Sequence, residues 1–409
     1  MELVQARRSS RRLSTEELAQ EAGANVETVR RLVETGVLRT DDDGRHQLQN
    51  VLQIRLIEAL AEGGVELDDL VWLIKERGMP LDRVAEGWTV AEVSGRSFAE
   101  FSASLGAYAE RLPAVYAAFG LAVPAPDTLM RRDEEAVIAG FLELWGMVDD
   151  RPEVSVRAAR IAGEGVRRIV LGTVDLFDEA GGPPPSRLRR GLPREEAMRP
   201  SQHIGPVSGQ TLLWLLARHT EHQVFERVVR SVERGLAQAG RKEHPQTEPP
   251  AVAFVDLSGY TSLAAAAGDE EAARAAALLH ELALESTRAP DGLVVKLLGD
   301  GVVLRYASAG PAIASVVALM TAVRRSDLPP AHSGIAAGPI VSRDGDVYGH
   351  TVNLASRIAS HASPDELLVP LDVTDRVSEA GLEWEDIGAT ELKGIPEPVH
   401  LARVRIEAA

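Results

Sequence analysis

The chain has 409 residues, 44 Lys+Arg against 61 Asp+Glu for a formal net charge of −17, and no cysteine. That length exceeds one ordinary domain, and the acidic balance argues against general binding of nucleic acid. The missing thiols exclude disulfides, thiolate zinc sites and cysteine nucleophiles. The opening MELVQARRSSRR has no apolar core after its arginines, so no signal peptide is expected. Ala312 to Val323, the longest mostly apolar stretch, falls short of the roughly 18–20 residues that span a bilayer. A cytoplasmic, multidomain protein without a membrane span is expected.

Residues 1–80 read as a winged helix-turn-helix-like module. Ser14 and Glu17 have capping-box spacing at the start of one amphipathic helix, and Asn25 with Thr28 begins a second after Gly23. A polar turn, DDDGRHQL, stands where a wing belongs, and VLQIRLIEALAEGG and LDDLVWLIKERG are helical by period. This order resembles the N-terminal domain of MerR-type regulators. The charge argues against DNA as a partner. Residues 1–50 hold eight Arg against nine Asp+Glu, and Asp41, Asp42 and Asp43 would face phosphates from the wing. An interaction or sensing role is expected instead.

Residues 81–239 are helical by periodicity and predict a regulatory or sensor domain ending in a long transmitter helix, Thr211 to Ala239. Before that helix, GGPPPSRLRRGLPREEAMRPSQHIGPVSG reads as a long loop. Its GPVSGQT is one residue short of phosphate-loop spacing and lacks the lysine. His203, His219 and His222 fall near the end of this region, the last two three apart on one helical face. They are candidate regulatory residues, as a pH-sensitive switch or a metal pair, against the plainer reading of solvated histidines. The regulatory ligand (a lipid, a metabolite or a proton) is not written in the motifs. Residues 240–250, GRKEHPQTEPP, read as a linker.

From 251 to 409 strands and helices alternate. AVAFVDL reads as a buried strand, AAAAGDEEAARAAALLHELALEST as one helix, and GLVVKLLGDGVVLRYA as a hairpin turning at Asp300-Gly301, a dipeptide suited to a type I′ turn. PAIASVVALMTAVRRS is a helix and HSGIAAGPIVS a strand. A helix around TVNLASRIASHA follows, then short strands at ELLVP, WEDIG and VHLARVRI. The βαββαβ order predicts a ferredoxin-like α+β sheet with helices on one face, beside an all-α N-terminal region. The crossover would lay the strands ending at Asp256 and Asp300 parallel, with both carboxylates on one sheet edge. Two carboxylates there can hold Mg²⁺ or Mn²⁺ through oxygen. The loop Leu257, Ser258, Gly259, Tyr260 and Thr261 leads into a helix, so its backbone N–H groups suit phosphate binding.

FVDLSGYT, VKLLGDGVVLRY and DVYGHTVNLASRI resemble the three signature segments of class III nucleotidyl cyclases. The likeness runs over essentially all of 250–405, the trailing ELKGIPEPV included. With its helical N-terminal region, the chain is similar to the soluble, mycobacterial-type bacterial adenylate cyclases. The resemblance implies two divalent ions, Mg²⁺ or Mn²⁺, on Asp256 and Asp300. It implies that Lys296 and Asp346 read the adenine edge, that Asn353 orients the ribose and that Arg357 stabilises the transition state. Lysine occurs only at Lys75, Lys242, Lys296 and Lys393, which sets Lys296 apart from background usage. Where many animal relatives carry a triphosphate lysine in a KGKG segment, this chain has Lys393-Gly394-Ile395-Pro396, so that second lysine is missing.

The implied reaction is in-line attack of the ribose 3′-hydroxyl of ATP on the α-phosphorus, expelling pyrophosphate and leaving cyclic AMP. A lysine donates to an adenine ring nitrogen and a carboxylate accepts from the exocyclic amine; guanine presents the opposite polarity. Asn353 and Arg357, four apart on one helix, share a face. The resemblance further implies a homodimer, with the metal aspartates from one protomer and Asn353 and Arg357 from its partner. Rotation of the catalytic domains by the N-terminal region would then gate turnover. The alternative class of function is a transcription regulator whose cyclase-like domain only dimerises and senses nucleotide.

Overall fold

The computed structural model describes residues 11–77, 91–180, 191, 193–241, 248–288, 292–375, 377 and 382–405, with the backbone alone for 194–195 and 197–206. The chain divides into two compact units, residues 1–231 and 232–409. The first begins with β1 (Arg12–Leu13), α1 (Thr15–Ala22), α2 (Val26–Glu34), β2 (His46–Gln47), α3 (Asn50–Glu62) and α4 (Leu67–Arg77). The capping box forms: Glu17 N donates to Ser14 Oγ at 3.1 Å and Ser14 N to Glu17 Oε2 at 2.7 Å. Asn25 caps α2 by accepting from Glu27 N. Leu18, Val29, Leu32, Val51 and Ile54 close a small core beneath these caps.

Next come β3 (Val93–Ser97), α5 (Phe98–Ser104), α6 (Leu112–Phe119), β4 (Leu129–Arg131), α7 (Arg132–Val148) and α8 (Pro152–Glu179). Phe101, Leu112, Tyr116 and Leu142 centre a second core. β1 pairs with β2 and β3 with β4, both antiparallel, so the region is mainly helical rather than all-α. Strands this short carry no readable alternation. α9 spans Arg194–Gln238 and starts well before the expected Thr211, inside the stretch read as a loop. Pro193 just ahead of it and Glu195 and Glu196 in its first turn are favourable helix-start chemistry. They prevail over the breakers Pro200, Gly205 and Pro206.

The second unit is a seven-stranded sheet in the order β12-β13-β11-β8-β5-β7-β6. Its strands are β5 (Ala251–Leu257), β6 (Leu293–Leu297), β7 (Gly301–Tyr306), β8 (Ala331–Ala337), β11 (Leu367–Pro370), β12 (Glu383–Thr390) and β13 (Val399–Arg405). A separate ribbon joins β9 (Val341–Arg343) to β10 (Asp346–Tyr348). β5 and β6 both run antiparallel to β7, so they are parallel to each other as expected, with β7 in the place between them. The single helix expected after β5 is two, α10 (Tyr260–Ala267) and α11 (Asp269–Ser286), because Gly268 at φ +91° breaks it.

One face of the sheet buries Val255, Leu304 and Ile335 against α11 and α12 (Ala309–Arg324) through Leu279, Val316 and Leu319. The opposite face buries Val252, Val303 and Ala336 against Ala355 and Ile358 of α13 (His350–His361). Helices therefore cover both faces, not one; β5 and β7 are apolar on successive residues, the pattern of a strand buried on both sides. α13 lies so close to β8 that a Cβ at Gly334 would stand 2.2 Å from Ala359 N and 2.7 Å from Ala355 O. Gly334→Ala is expected to destabilise the protein by about 1–3 kcal/mol through overpacking. Calorimetry reads this directly, and an unshifted melting temperature would refute it.

Candidate active site

Asp256 lies near the end of β5, directly opposite Gly301 of β7 on one side and His332 of β8 on the other. Asp300 sits in the turn before β7, where its carbonyl accepts from Leu257 N at 2.9 Å. The turn closes through Leu298 N to Gly301 O at 2.8 Å, with Gly299 at φ +80°. Gly301 therefore already belongs to the strand, and Gly299, not the Asp300-Gly301 pair, supplies the left-handed residue. Gly301 has another use. A Cβ there would lie 2.6 Å from Asp256 Oδ1, so any larger residue would force the carboxylate to shift from this position.

Burial, and then the charge of Asp300, push the Asp256 carboxyl up to about 6. Two carboxylates, one of them raised by the charge of the other, offer oxygen donors that fit Mg²⁺ or Mn²⁺. Among the described residues no group of three or more His, Asp or Glu forms a complete protein cage. Such an ion would take its other ligands from water and phosphate oxygens, as Mg²⁺ commonly does.

The loop after β5 is narrower as a phosphate cradle than its sequence suggests. Leu257 N is committed to Asp300 O, and Ser258 N to Pro330 O at 2.8 Å, so these two amides are not available to phosphate. Gly259 caps α10, and the first-turn amides of Tyr260 and Thr261 have no acceptor within the helix. Tyr260 Oη donates to Ala272 O at 2.9 Å and pins α10 to α11. Ser258 Oγ lies 3.0 Å from His332 Nδ1. His332 belongs to none of the sequence motifs. Its one signal is its place opposite Asp256, visible only once β5 and β8 are paired.

Lys296 follows a bulge in β6 that re-aims its side chain. Its Nζ donates to Asp346 Oδ2 at 2.7 Å, joining the edge of the main sheet to the β9–β10 ribbon. Val347 N donates to Asp346 Oδ1 at 2.8 Å. Burial opposes ionisation of Asp346, but the bonds from Lys296, Val347 N and Tyr348 outweigh it and hold the carboxyl below its usual range. Asn353 and Arg357 are exposed on α13, and among the described residues neither bonds to Asp256 or Asp300. His219 and His222 are exposed on α9, with His222 Nε2 3.4 Å from Glu226 Oε1. His203 lies outside the residues whose side chains are described.

The adenylate and guanylate cyclase catalytic domain family matches residues 332–403, a span that includes Asp346, Asn353 and Arg357. The chain is 32% identical over 368 residues to the pH-sensitive adenylate cyclase MT1302 of Mycobacterium tuberculosis, covering 86% of this chain and 87% of that one. It is 30% identical over 240 residues to an adenylate cyclase of Streptomyces coelicolor, covering 58% and 60%. Among solved structures it is similar to the adenylyl cyclase CyaB from P. aeruginosa, at 20% identity and TM-score 0.34, over 39% of this chain and 95% of that one. No helix among the described residues is long and apolar enough to cross a membrane.

Proposed function

This chain belongs to the adenylate and guanylate cyclase family and is an adenylate cyclase, and we propose that it makes cyclic AMP at two equivalent composite sites of a homodimer. Asp256 and Asp300 would hold divalent ions, which lower the pKa of the ribose 3′-hydroxyl and offset the charge of the triphosphate. The amides of Gly259, Tyr260 and Thr261 receive phosphate oxygens. Lys296 donates to an adenine ring nitrogen while Asp346 accepts from the amine. Asn353 fixes the sugar, and Arg357 meets the charge that develops on the phosphoryl oxygens. The 3′-oxygen bonds to the α-phosphorus as the bond to the bridging oxygen breaks; pyrophosphate leaves and the hydroxyl proton passes to solvent. A ferredoxin-like reading of the catalytic half rests on the β8-β5-β7-β6 strand order.

The observation that carries the composite site is a separation. The carboxylate pair and the Lys296–Asp346 pair are assembled within one chain, whereas Asn353 and Arg357 stand on the exposed side of α13 without a bond to that pair. Asp300→Ala and Arg357→Ala proteins are each expected to be inactive from ATP and Mn²⁺. Mixed in equal amounts and allowed to exchange, they should regain about a quarter of wild-type activity, since half the dimers would carry one intact site of two. No recovery in a mixture shown to contain heterodimers sinks the composite site.

Regulation is assigned to the first unit. The M. tuberculosis relative is named for pH sensitivity. Here His222 and Glu226 face each other one turn apart on α9. Replacing His219 and His222 by Gln is expected to flatten the activity profile of the full-length protein against pH; an unchanged profile removes them from the gate. A small-molecule regulator would fit a cavity of about 820 Å³ lined by Phe119, Ile138, Val166 and Val170, with Arg55, Arg131 and Arg167 as its cations. DNA is disfavoured. Arg30 is paired with Glu16 at 2.9 Å and Arg31 with Asp68 at 4.0 Å, which neutralises the helix that would enter a groove.

A further inference from the structure

His332 is the second residue of β8 and faces Asp256 directly across the β5–β8 ladder. Its side chain is only 17% exposed, with Nδ1 3.0 Å from Ser258 Oγ and Nε2 3.8 Å from Asp256 Oδ2. A ring with its proton on Nδ1 alone would turn a bare Nε2 lone pair toward a carboxylate oxygen. A proton on Nε2 removes the conflict: Ser258 can then donate its hydroxyl proton to Nδ1, and Nε2 faces Asp256 Oδ2 at 3.8 Å.

On the far side of Asp256, Gly301 leaves open the space its Oδ1 occupies. The carboxylate therefore lies between a glycine that admits it and an imidazole that faces it. The same ring holds the hydroxyl of the residue at the mouth of the phosphate loop. We propose that His332 is a positioning residue, which orients Asp256 toward the divalent ion and ties that orientation to Ser258. The inference rests on the proposed role of Asp256 as a metal ligand. It adds a ring outside the three signature segments and links the Asp256 carboxylate to the loop after β5. Outer partners of this kind commonly change metal affinity by about 10–100-fold.

The experiment compares wild type with His332→Ala, His332→Gln, His332→Asn and Asp300→Asn, all full-length. Mn²⁺ binding is followed by electron paramagnetic resonance with 3′-deoxy-ATP, which lacks the attacking hydroxyl, so no turnover contributes. His332→Ala is expected to weaken Mn²⁺ about 10–100-fold, with the metal-free melting temperature close to wild type. Gln places its amide nitrogen near the Nε2 position and should recover most of the affinity. Asn reaches only the Nδ1 position and should not. An alanine variant that binds Mn²⁺ like wild type overturns the proposal. So does a weakened variant rescued equally by both amides or by neither, which would make His332 a packing residue. A wild type that binds Mn²⁺ no better than Asp300→Asn overturns the carboxylate metal site itself, a result distinct from either failure of His332.

Discussion

Asp300→Asn is expected to lower cyclic AMP formation by about 10²–10³-fold, the scale of losing one preorganised electrostatic contact at a reacting centre. It should do so with the fold kept. The backbone carbonyl that accepts from Leu257 N remains, and Asn fits the same turn. The pH dependence of metal binding tests the cause. In wild type the Asp256 carboxyl sits at about 6, raised by burial and then by Asp300, so protons compete with the metal below that pH. Half-saturating Mn²⁺ should be flat above the bend and rise by about tenfold per pH unit below it. Asp300→Asn removes the second cause, and the bend should move to lower pH although binding is weaker throughout.

The linked stability has a definite sign. Because the folded pKa of Asp256 is raised, the folded chain holds more protons than the unfolded one between the ordinary carboxylate range and about 6. Without metal this group therefore penalises the fold at pH 7, and the penalty fades as pH falls through 6. Added Mn²⁺ should accordingly raise the melting temperature more at neutral pH than at pH 5, and Mn²⁺ binding independent of pH across that range would count against the carboxylate pair.

The residues proposed to carry cyclase chemistry were legible because they sit in short local strings. Lys296 and Asp300 are four apart, one in β6 and one in the turn after it, and Asn353 and Arg357 are four apart on one helix. The direction of β6 relative to β5 was legible as well, since a helical crossover leaves little choice. What escaped is whatever depends on register. Ser258 and His332 are 74 residues apart and meet only because β5 and β8 pair in one alignment. The demand for glycine at 301 arises from the carboxylate across the ladder, not from the turn beside it. The loss of the Leu257 and Ser258 amides to carbonyls of other segments is of the same kind. The early start of α9 shows the converse, local helix-start chemistry prevailing over prolines and glycines that read as a loop.

Lys296→Ala is expected to cut kcat/KM for ATP by about 10²–10³-fold, since a site built around a hydrogen bond loses heavily when one partner goes. It should not improve GTP. Asp346 still accepts from Val347 N and keeps its negative charge toward the carbonyl that guanine presents. Changing the base preference needs both polarities reversed. Lys296→Glu with Asp346→Ser supplies an acceptor for the ring N–H and amine of guanine and a donor for its carbonyl. That double variant is expected to lower the ATP-to-GTP ratio of kcat/KM by about 10³-fold or more. Stability separates this from damage to the fold. The Lys296–Asp346 pair is 38% and 27% exposed, so it contributes on the order of 1 kcal/mol or less. The melting temperature should therefore shift by only a few degrees while specificity moves by orders of magnitude. A double variant that still prefers ATP as wild type does would mean that the base is read by other residues, and that Lys296 and Asp346 merely fasten the ribbon to the sheet edge.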